Sequence, residues 1–223
     1  MMAKHALLAC ASGLVGERCL ARLLDHAAYD RVTVFSRRPL ALSHAKLRVE
    51  LVDFNGIQAL GERCEDIFCC LGTTIKIAGS QQAFRRVDHD YPLMLAKLGK
   101  AEDARQFVLV SALGADAQSR VFYSRVKGET ERDIAAIGLP KVVFMRPSIL
   151  LGERHQRRPG ERAGIFLGKL IAPLLLGQLR KYQPIHADEV AAAMLYVANH
   201  EVRPGPIDSD EIARLARLED IGK

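Results

Sequence analysis

The sequence predicts an α/β protein built on a doubly wound parallel sheet with a small C-terminal lid. Three observations carry this. Short apolar runs alternate with stretches of helical spacing along most of the chain. The runs are continuously apolar, so both faces of each strand are covered, as in a parallel sheet lying between helix layers. The first run passes through a glycine-containing turn straight into the first helical stretch, where free N–H groups at a helix start face the carboxyl edge of such a sheet.

Ala6 to Ala9 is the first run. Leu14 to Ala27 is the first helix, with Leu14, Val15, Cys19, Leu20, Leu23 and Leu24 at helical spacing. Val32 to Phe35 reads as the second strand, and Leu47, Val49, Leu51 and Val52 mark a third. Ile67 to Leu71 is a fourth, ended by Gly72. Gln81 to Lys100 reads as one helix, bent or bounded by Pro92. Phe107 to Val110 is a strand, Val121 to Ile137 a helix stopped by Gly138, and Val142 to Met145 a strand closed by Arg146-Pro147. Ala187 to Ala198 is an Ala-rich helix with Asp188 as its cap. Glu211 to Leu218 is a weak amphipathic helix. The alternation breaks between about residues 150 and 185. The chain, 1–223, therefore reads as a single domain with 150–185 as an insertion bordering a cleft.

The 223 residues are 49% hydrophobic and 26% charged, which are globular values. A chain of this length buries roughly 70% of its open surface without a metal or disulfide staple. Lys4-His5 followed by Ala6 to Ala9 and Cys10 mimics a lipoprotein cleavage site, but the apolar stretch is far shorter than the roughly 7–15 residues of a signal segment. No late apolar run approaches the roughly 20 residues of a membrane span. The expectation is a cytosolic protein without a membrane partner. The cysteines, Cys10, Cys19, Cys64, Cys69 and Cys70, are odd in number and lack metal-ligand spacing. They read as small buried side chains, with no metal site expected.

The net charge of +6 is local. Residues 146–181 hold eight basic and two acidic side chains, and the rest of the chain sums to zero. No basic stripe interleaves with aromatics, so nucleic acid is not an expected partner. Arg154, Arg157 and Arg158 either select an anionic small-molecule substrate or form a solvated rim.

The turn between the first strand and helix contains Ser12, Gly13, Leu14, Val15 and Gly16. Gly13 lets the backbone approach a pyrophosphate, and Gly16 lets the helix pack on the strand. Ser36-Arg37-Arg38-Pro39 ends the second strand. It has no acid for a ribose diol, while two guanidinium groups and a hydroxyl suit a 2′-phosphate. NADP(H) is therefore expected over NAD(H). Tyr123 and Lys127 stand one turn apart on one helix face. A neighbouring ammonium favours the phenolate, and a shift of about three pKa units takes roughly 4 kcal/mol.

Ala11-Ser12-Gly13-x-x-Gly16, Ser111, Tyr123-x-x-x-Lys127 and Arg146-Pro147-Ser148 together resemble the atypical and extended branch of the short-chain dehydrogenase/reductase superfamily. Cys69 to Thr74, Ala78-Gly79-Ser80, Arg86 to Tyr91 and Tyr123-x-x-x-Lys127-Gly128-Glu129 resemble its tumour-suppressor oxidoreductase subgroup, the HIV Tat-interactive protein 2 family, and bacterial relatives. The likeness covers roughly residues 5–200. It implies a Rossmann-like fold. It implies Asp53 and Phe54 at the adenine edge, and Leu71, Gly72 and Thr73 along the ribose and pyrophosphate. Arg146, Pro147 and Ser148 would touch the cofactor, and Lys127 its nicotinamide ribose. Tyr123 would exchange the proton and Ser111 polarise a carbonyl.

The sequence departs from the family where Cys10 replaces the first glycine, a change tolerated if φ there is negative. Asp88 stands where related reductases often carry an Asn that holds a relay water. His186 is not expected to be catalytic. The implied function is NADP(H)-dependent hydride transfer to or from a small carbonyl or alcohol. The alternatives are a non-catalytic NADPH-binding regulatory module and, less favoured by the short stretch after Pro147, a sugar-nucleotide epimerase. So small a C-terminal part implies a pocket that is shallow or completed by another chain, in a homodimer or with a protein partner.

Overall fold

The computed structural model describes residues 3–152 and 177–222. Arg154, Arg157 and Arg158, and with them most of the expected insertion, lie outside the described residues. Seven strands form one sheet in the order β3-β2-β1-β4-β5-β6-β9, every neighbouring pair parallel. They are β1 (Lys4–Ala9), β2 (Tyr29–Ser36), β3 (Leu47–Leu51), β4 (Asp66–Cys69), β5 (Gln106–Val110), β6 (Lys141–Arg146) and β9 (Gly205–Asp208). A two-stranded parallel pair, β7 (Leu150–Leu151) with β8 (Ile185–His186), joins the chain on either side of the expected insertion.

The helices are α1 (Leu14–Asp25), α2 (Ile75–Ala78), α3 (Gln81–Arg85), α4 (Tyr91–Ala101), α5 (Phe122–Ala135), α6 (Ala187–Asn199) and α7 (Ser209–Ile221). A 3-10 turn spans Gly177–Tyr182. The helices cover the two sheet faces separately. One core joins Leu8, Val32 and Val143 of the sheet to Cys19 and Leu23 of α1, Val190 and Met194 of α6, and Leu215 of α7. The other joins Leu7, Ile67 and Phe107 to Leu95 of α4 and Ile134 of α5. This division is why the strands read as continuous apolar runs.

Three elements differ from the sequence reading. The short strand β9 carries Pro206, which a sheet accepts because β9 is an edge. Asp188 is not the cap of α6. His186 is, with the Glu189 carboxylate accepting its N–H at 2.9 Å, while Asp188 pairs with Arg22 at 2.6 Å.

The third difference bears on the site. The helix expected over Gln81 to Lys100 is interrupted by a π turn at Arg86–Asp90. Pro92 supplies the cause. It has no N–H to give the carbonyl of Asp88, four residues back, and its ring would strike that carbonyl in a regular helix. The Tyr91 N–H instead reaches Arg86, five residues back. The freed Asp88 carbonyl lies 3.0 Å from the Thr130 hydroxyl of α5, whose single proton also reaches Val126 O at 2.7 Å.

Candidate functional site

The strand order reverses direction between β1 and β4, and the loops that leave their carboxyl ends flank a crevice. Gly13 is the N-cap of α1 and offers no side chain. Intrahelical bonding starts with Glu17 N–H to Gly13 O at 2.9 Å, so the N–H groups of Leu14, Val15 and Gly16 have no helical acceptor. A Cβ at Gly16 would lie 1.9 Å from the Cys10 carbonyl oxygen, so only glycine fits there. Cys10 itself has φ +70. The condition for a tolerated cysteine, a negative φ, is not met, and the residue sits in the left-handed region that glycine favours. Burial, then the neighbouring Cys70, push its thiol pKa up, so it stays neutral. This backbone cradle fits a diphosphate.

At the end of β2, Ser36 is buried. Its hydroxyl donates to Arg38 O at 2.6 Å and accepts the Arg38 N–H at 3.2 Å. The hydroxyl expected to meet a 2′-phosphate therefore holds its own turn. Arg37 and Arg38 are exposed. Asp53 is exposed as well, and its Oδ1 accepts the N–H and side-chain amide of Asn55, which hold its carboxyl below the ordinary range. Phe54 is buried and stacks on Tyr91 with ring centres 5.5 Å apart.

On the other side of the crevice Leu71 is buried, Gly72 exposed, and the Thr73 N–H donates to Asp88 Oδ2 at 2.9 Å. Lys127, only 5% exposed, pairs through Nζ with Asp88 Oδ1 at 2.8 Å. Burial disfavours its ammonium, but Asp88 and then Tyr123 outweigh that, and its pKa is raised. Tyr123 is 37% exposed, packs against the Phe84 ring at 5.6 Å, and lines a cavity of about 550 Å³. Ala112, Leu113, Pro147 and Ile149 form the apolar wall of that cavity. Tyr182, Lys181 and Asp208 face the same space, with Lys181 Nζ 3.9 Å from Asp208.

Ser111 takes a different place from the one expected. It is buried, and its hydroxyl donates to Glu131 Oε1 at 2.5 Å. Glu131 also accepts from Arg146, at 3.0 Å from Nε and 2.5 Å from Nη2. Ser111 is absent from the cavity lining, where its neighbour Ala112 stands. In this arrangement the Ser111 hydroxyl is turned to Glu131 and not to the cavity. Ser148 is likewise committed, donating to Gln183 O and lying 3.1 Å from Ser209 Oγ. Glu131 is a further residue of this cluster, and its spacing is a signal in the sequence. Tyr123, Lys127 and Glu131 recur every four residues along one face of α5.

No protein-family model matches the chain. It is 31% identical to the protein FMP52, mitochondrial, of Eremothecium gossypii, over 96% of this chain and 98% of that protein. It is 36% identical to the protein HTATIP2 of Rattus norvegicus, over 76% of this chain and 73% of that one. Among solved structures it is similar to MoeE5 in complex with UDP-glucose and NAD, with a TM-score of 0.67 at 17% identity, over 96% of this chain and 81% of that one. It is similar also to a UDP-N-acetylglucosamine 4-epimerase from Methanobrevibacter ruminantium, with a TM-score of 0.70 at 16% identity, over 98% and 81%. These two likenesses are of fold, and the fold is Rossmann-like. The expectation of a cytosolic protein is corrected by the names of the relatives. The FMP52 proteins of Eremothecium gossypii, Emericella nidulans and Candida glabrata are all named mitochondrial.

Proposed function

The chain belongs to the family of the FMP52 and HTATIP2 proteins, and on that premise we propose that it is an NADP(H)-dependent oxidoreductase acting on a small carbonyl or alcohol. The observation that carries this reading is Tyr123 at the wall of a cavity of about 550 Å³, one helical turn from the buried ammonium of Lys127. A cavity of that volume suits a small molecule.

The N–H groups of Leu14, Val15 and Gly16, with Ser12 and Gly13 before them, hold the diphosphate. Arg37 and Arg38 hold a 2′-phosphate, which favours NADP(H) over NAD(H). Asp53 and Phe54 would hold the adenine end, and Leu71, Gly72, Thr73 and Pro147 would complete the set that holds the cofactor. When bound, the reduced nicotinamide supplies the hydride. Tyr123 hands its phenolic proton to the carbonyl oxygen as that oxygen gains charge. Lys127 lowers the cost of the phenolate left behind. Ser111 acts at one remove, fixing Glu131 and through it Arg146 at the cavity.

A second reading, a non-catalytic NADPH-binding regulator, draws on one observation. The hydroxyl of Ser111 is spent on Glu131, and Ala112 stands beside the cavity in its place. Thermal shift with NADPH and NADH, followed by a carbonyl panel, separates the two. NADPH at about 100 times its Kd is expected to add about 2.7 kcal/mol of stability. Tyr123→Phe is expected to keep that stabilisation and lose about 10²–10⁴-fold in kcat. Stabilisation without Tyr123-dependent turnover selects the regulator, and no stabilisation by either nucleotide removes both readings.

A further inference from the structure

The geometry points to a substrate that carries a carboxylate as well as its carbonyl, an oxo acid or the matching hydroxy acid, with Arg146 and Lys181 holding the acid group. This names the substrate class of the site described above and rests on the oxidoreductase reading of it.

Arg146 is the last residue of β6, and its side chain is 23% exposed at the cavity wall. Its guanidinium is only partly used. Nε and Nη2 bond the Glu131 carboxylate at 3.0 and 2.5 Å, and Nη1 has no acceptor among the described residues. The Glu131 side chain is 7% exposed, accepts the Ser111 hydroxyl as well, and does not line the cavity. The cation therefore faces the cavity and its acid stands behind it. A guanidinium held in one orientation offers its remaining N–H donors to a ligand with little further loss of side-chain freedom.

Lys181 brings a second cation, from the 3-10 turn. Its Nζ is 3.9 Å from Asp208 Oδ2, too far for a hydrogen bond, and an ammonium so loosely paired can turn to a ligand. Asp208 is the register partner of Arg146 in the sheet and the one acid of the described lining. Two cations against one acid leave that lining with a single positive charge. A carboxylate balances it, whereas a phosphate dianion exceeds it. Ala112, Leu113, Pro147 and Ile149 make much of the remaining wall apolar, where a charge-assisted hydrogen bond meets little competition from water. Tyr123 lines the same cavity, so one small molecule can meet the phenol with its carbonyl and the two cations with its acid.

The test reads binding to the NADPH-saturated full chain by calorimetry and needs no turnover. The probes are levulinate and longer straight-chain oxo acids, each beside its methyl ester, which keeps the carbonyl and removes the charge. The native protein is expected to bind the best acid at least about tenfold more tightly than its ester. Lys181→Gln is expected to narrow that preference. Arg146→Gln combined with Glu131→Gln removes both charges together, leaves neither stranded, and is expected to abolish it. If the double variant does not fold, Lys181→Glu, at a partly exposed position, is expected to abolish the preference by repulsion. Acids and esters bound alike, or neither bound, overturn the proposal. So does a preference that survives in the folded double variant or in Lys181→Glu. An acid preference lost in these variants, with no Tyr123-dependent turnover, upholds the acid site and retires the oxidoreductase reading. Tyr123-dependent turnover confined to uncharged carbonyl compounds does the reverse.

Discussion

Cys10 holds a backbone conformation in which a side chain costs about 1–2 kcal/mol relative to the right-handed region. Its carbonyl oxygen is the atom against which Gly16 packs, so the turn cannot relax without moving α1. Cys10→Gly is expected to raise unfolding stability by about 1 kcal/mol in urea denaturation, with NADPH binding kept or tightened. A stability loss would show that the thiol's packing outweighs the backbone strain. Gly13 and Gly16 were legible in the sequence because spacing alone marks a turn before a helix. The φ of Cys10 was not, because the surrounding strand and helix impose it. Ser111 marks a similar boundary. Its distance along the chain from Tyr123 could not say whether Ser111 or Ala112 faces the cavity, since that depends on where β5 ends and on the carboxylate waiting on α5.

At the scale of elements, α5 is held by a contact its sequence only hints at. A Cβ on Gly128 would lie 2.1 Å from Ala117 N and 2.2 Å from the Asp116 carbonyl carbon. Both are backbone atoms of the loop that carries Ala112 and Leu113 to the cavity, and they cannot swing aside. Gly99 on α4 offers the contrast, since a Cβ there would crowd a side-chain tip, the Ile67 Cδ1 at 2.4 Å, and otherwise make only ordinary contact with Ala104 Cβ at 3.5 Å. Gly128→Ala is expected to lose about 2–3 kcal/mol of stability by overpacking, and Gly99→Ala clearly less, measured by thermal or denaturant unfolding. Equal losses would mean that the loop is free to move. The long helices and the inner strands were readable because burial on one stripe or on both faces leaves a periodic trace. β9 left none, being four residues with a proline, and the π turn was visible only as a proline whose effect on hydrogen bonding takes coordinates to see.

At the scale of the molecule the two ends of the sheet do different work. Opposite the crevice, at the amino end of β4, Asp66 is buried. It accepts from Lys4 Nζ at 2.7 Å, Tyr29 OH at 2.6 Å and Gln106 Nε2 at 2.7 Å. Lys4 and Gln106 also donate to Ala198 O, and Lys141 to Val197 O, so the last turn of α6 ends on side-chain donors, two of them cationic. Asp66→Ala leaves the half-buried Lys4 ammonium, the Tyr29 hydroxyl and the Gln106 amide without their shared acceptor and is expected to cost about 3–5 kcal/mol. Because this cluster lies at the far end of β4 from the site, the folded variant should bind NADPH with native affinity in calorimetry. A matching loss of affinity would show the two ends to be coupled. The overall sheet could be foreseen from alternation of runs, whereas Asp66 stood just outside the apolar run and looked like the edge of a loop.

The core that α1 shares with α6 and α7 has a consequence for how the protein comes into being. Leu20 and Leu23 are covered by residues that follow them by more than half the chain, such as Val190 and Leu215, and Arg22 reaches across to Asp188 and Asp220. On a ribosome adding roughly 5–20 residues per second, the apolar face of α1 waits on the order of ten to thirty seconds for its partner. The nascent chain therefore displays a greasy, uncovered helix for most of its synthesis. That face stays uncovered until α6 and α7 emerge and close over it.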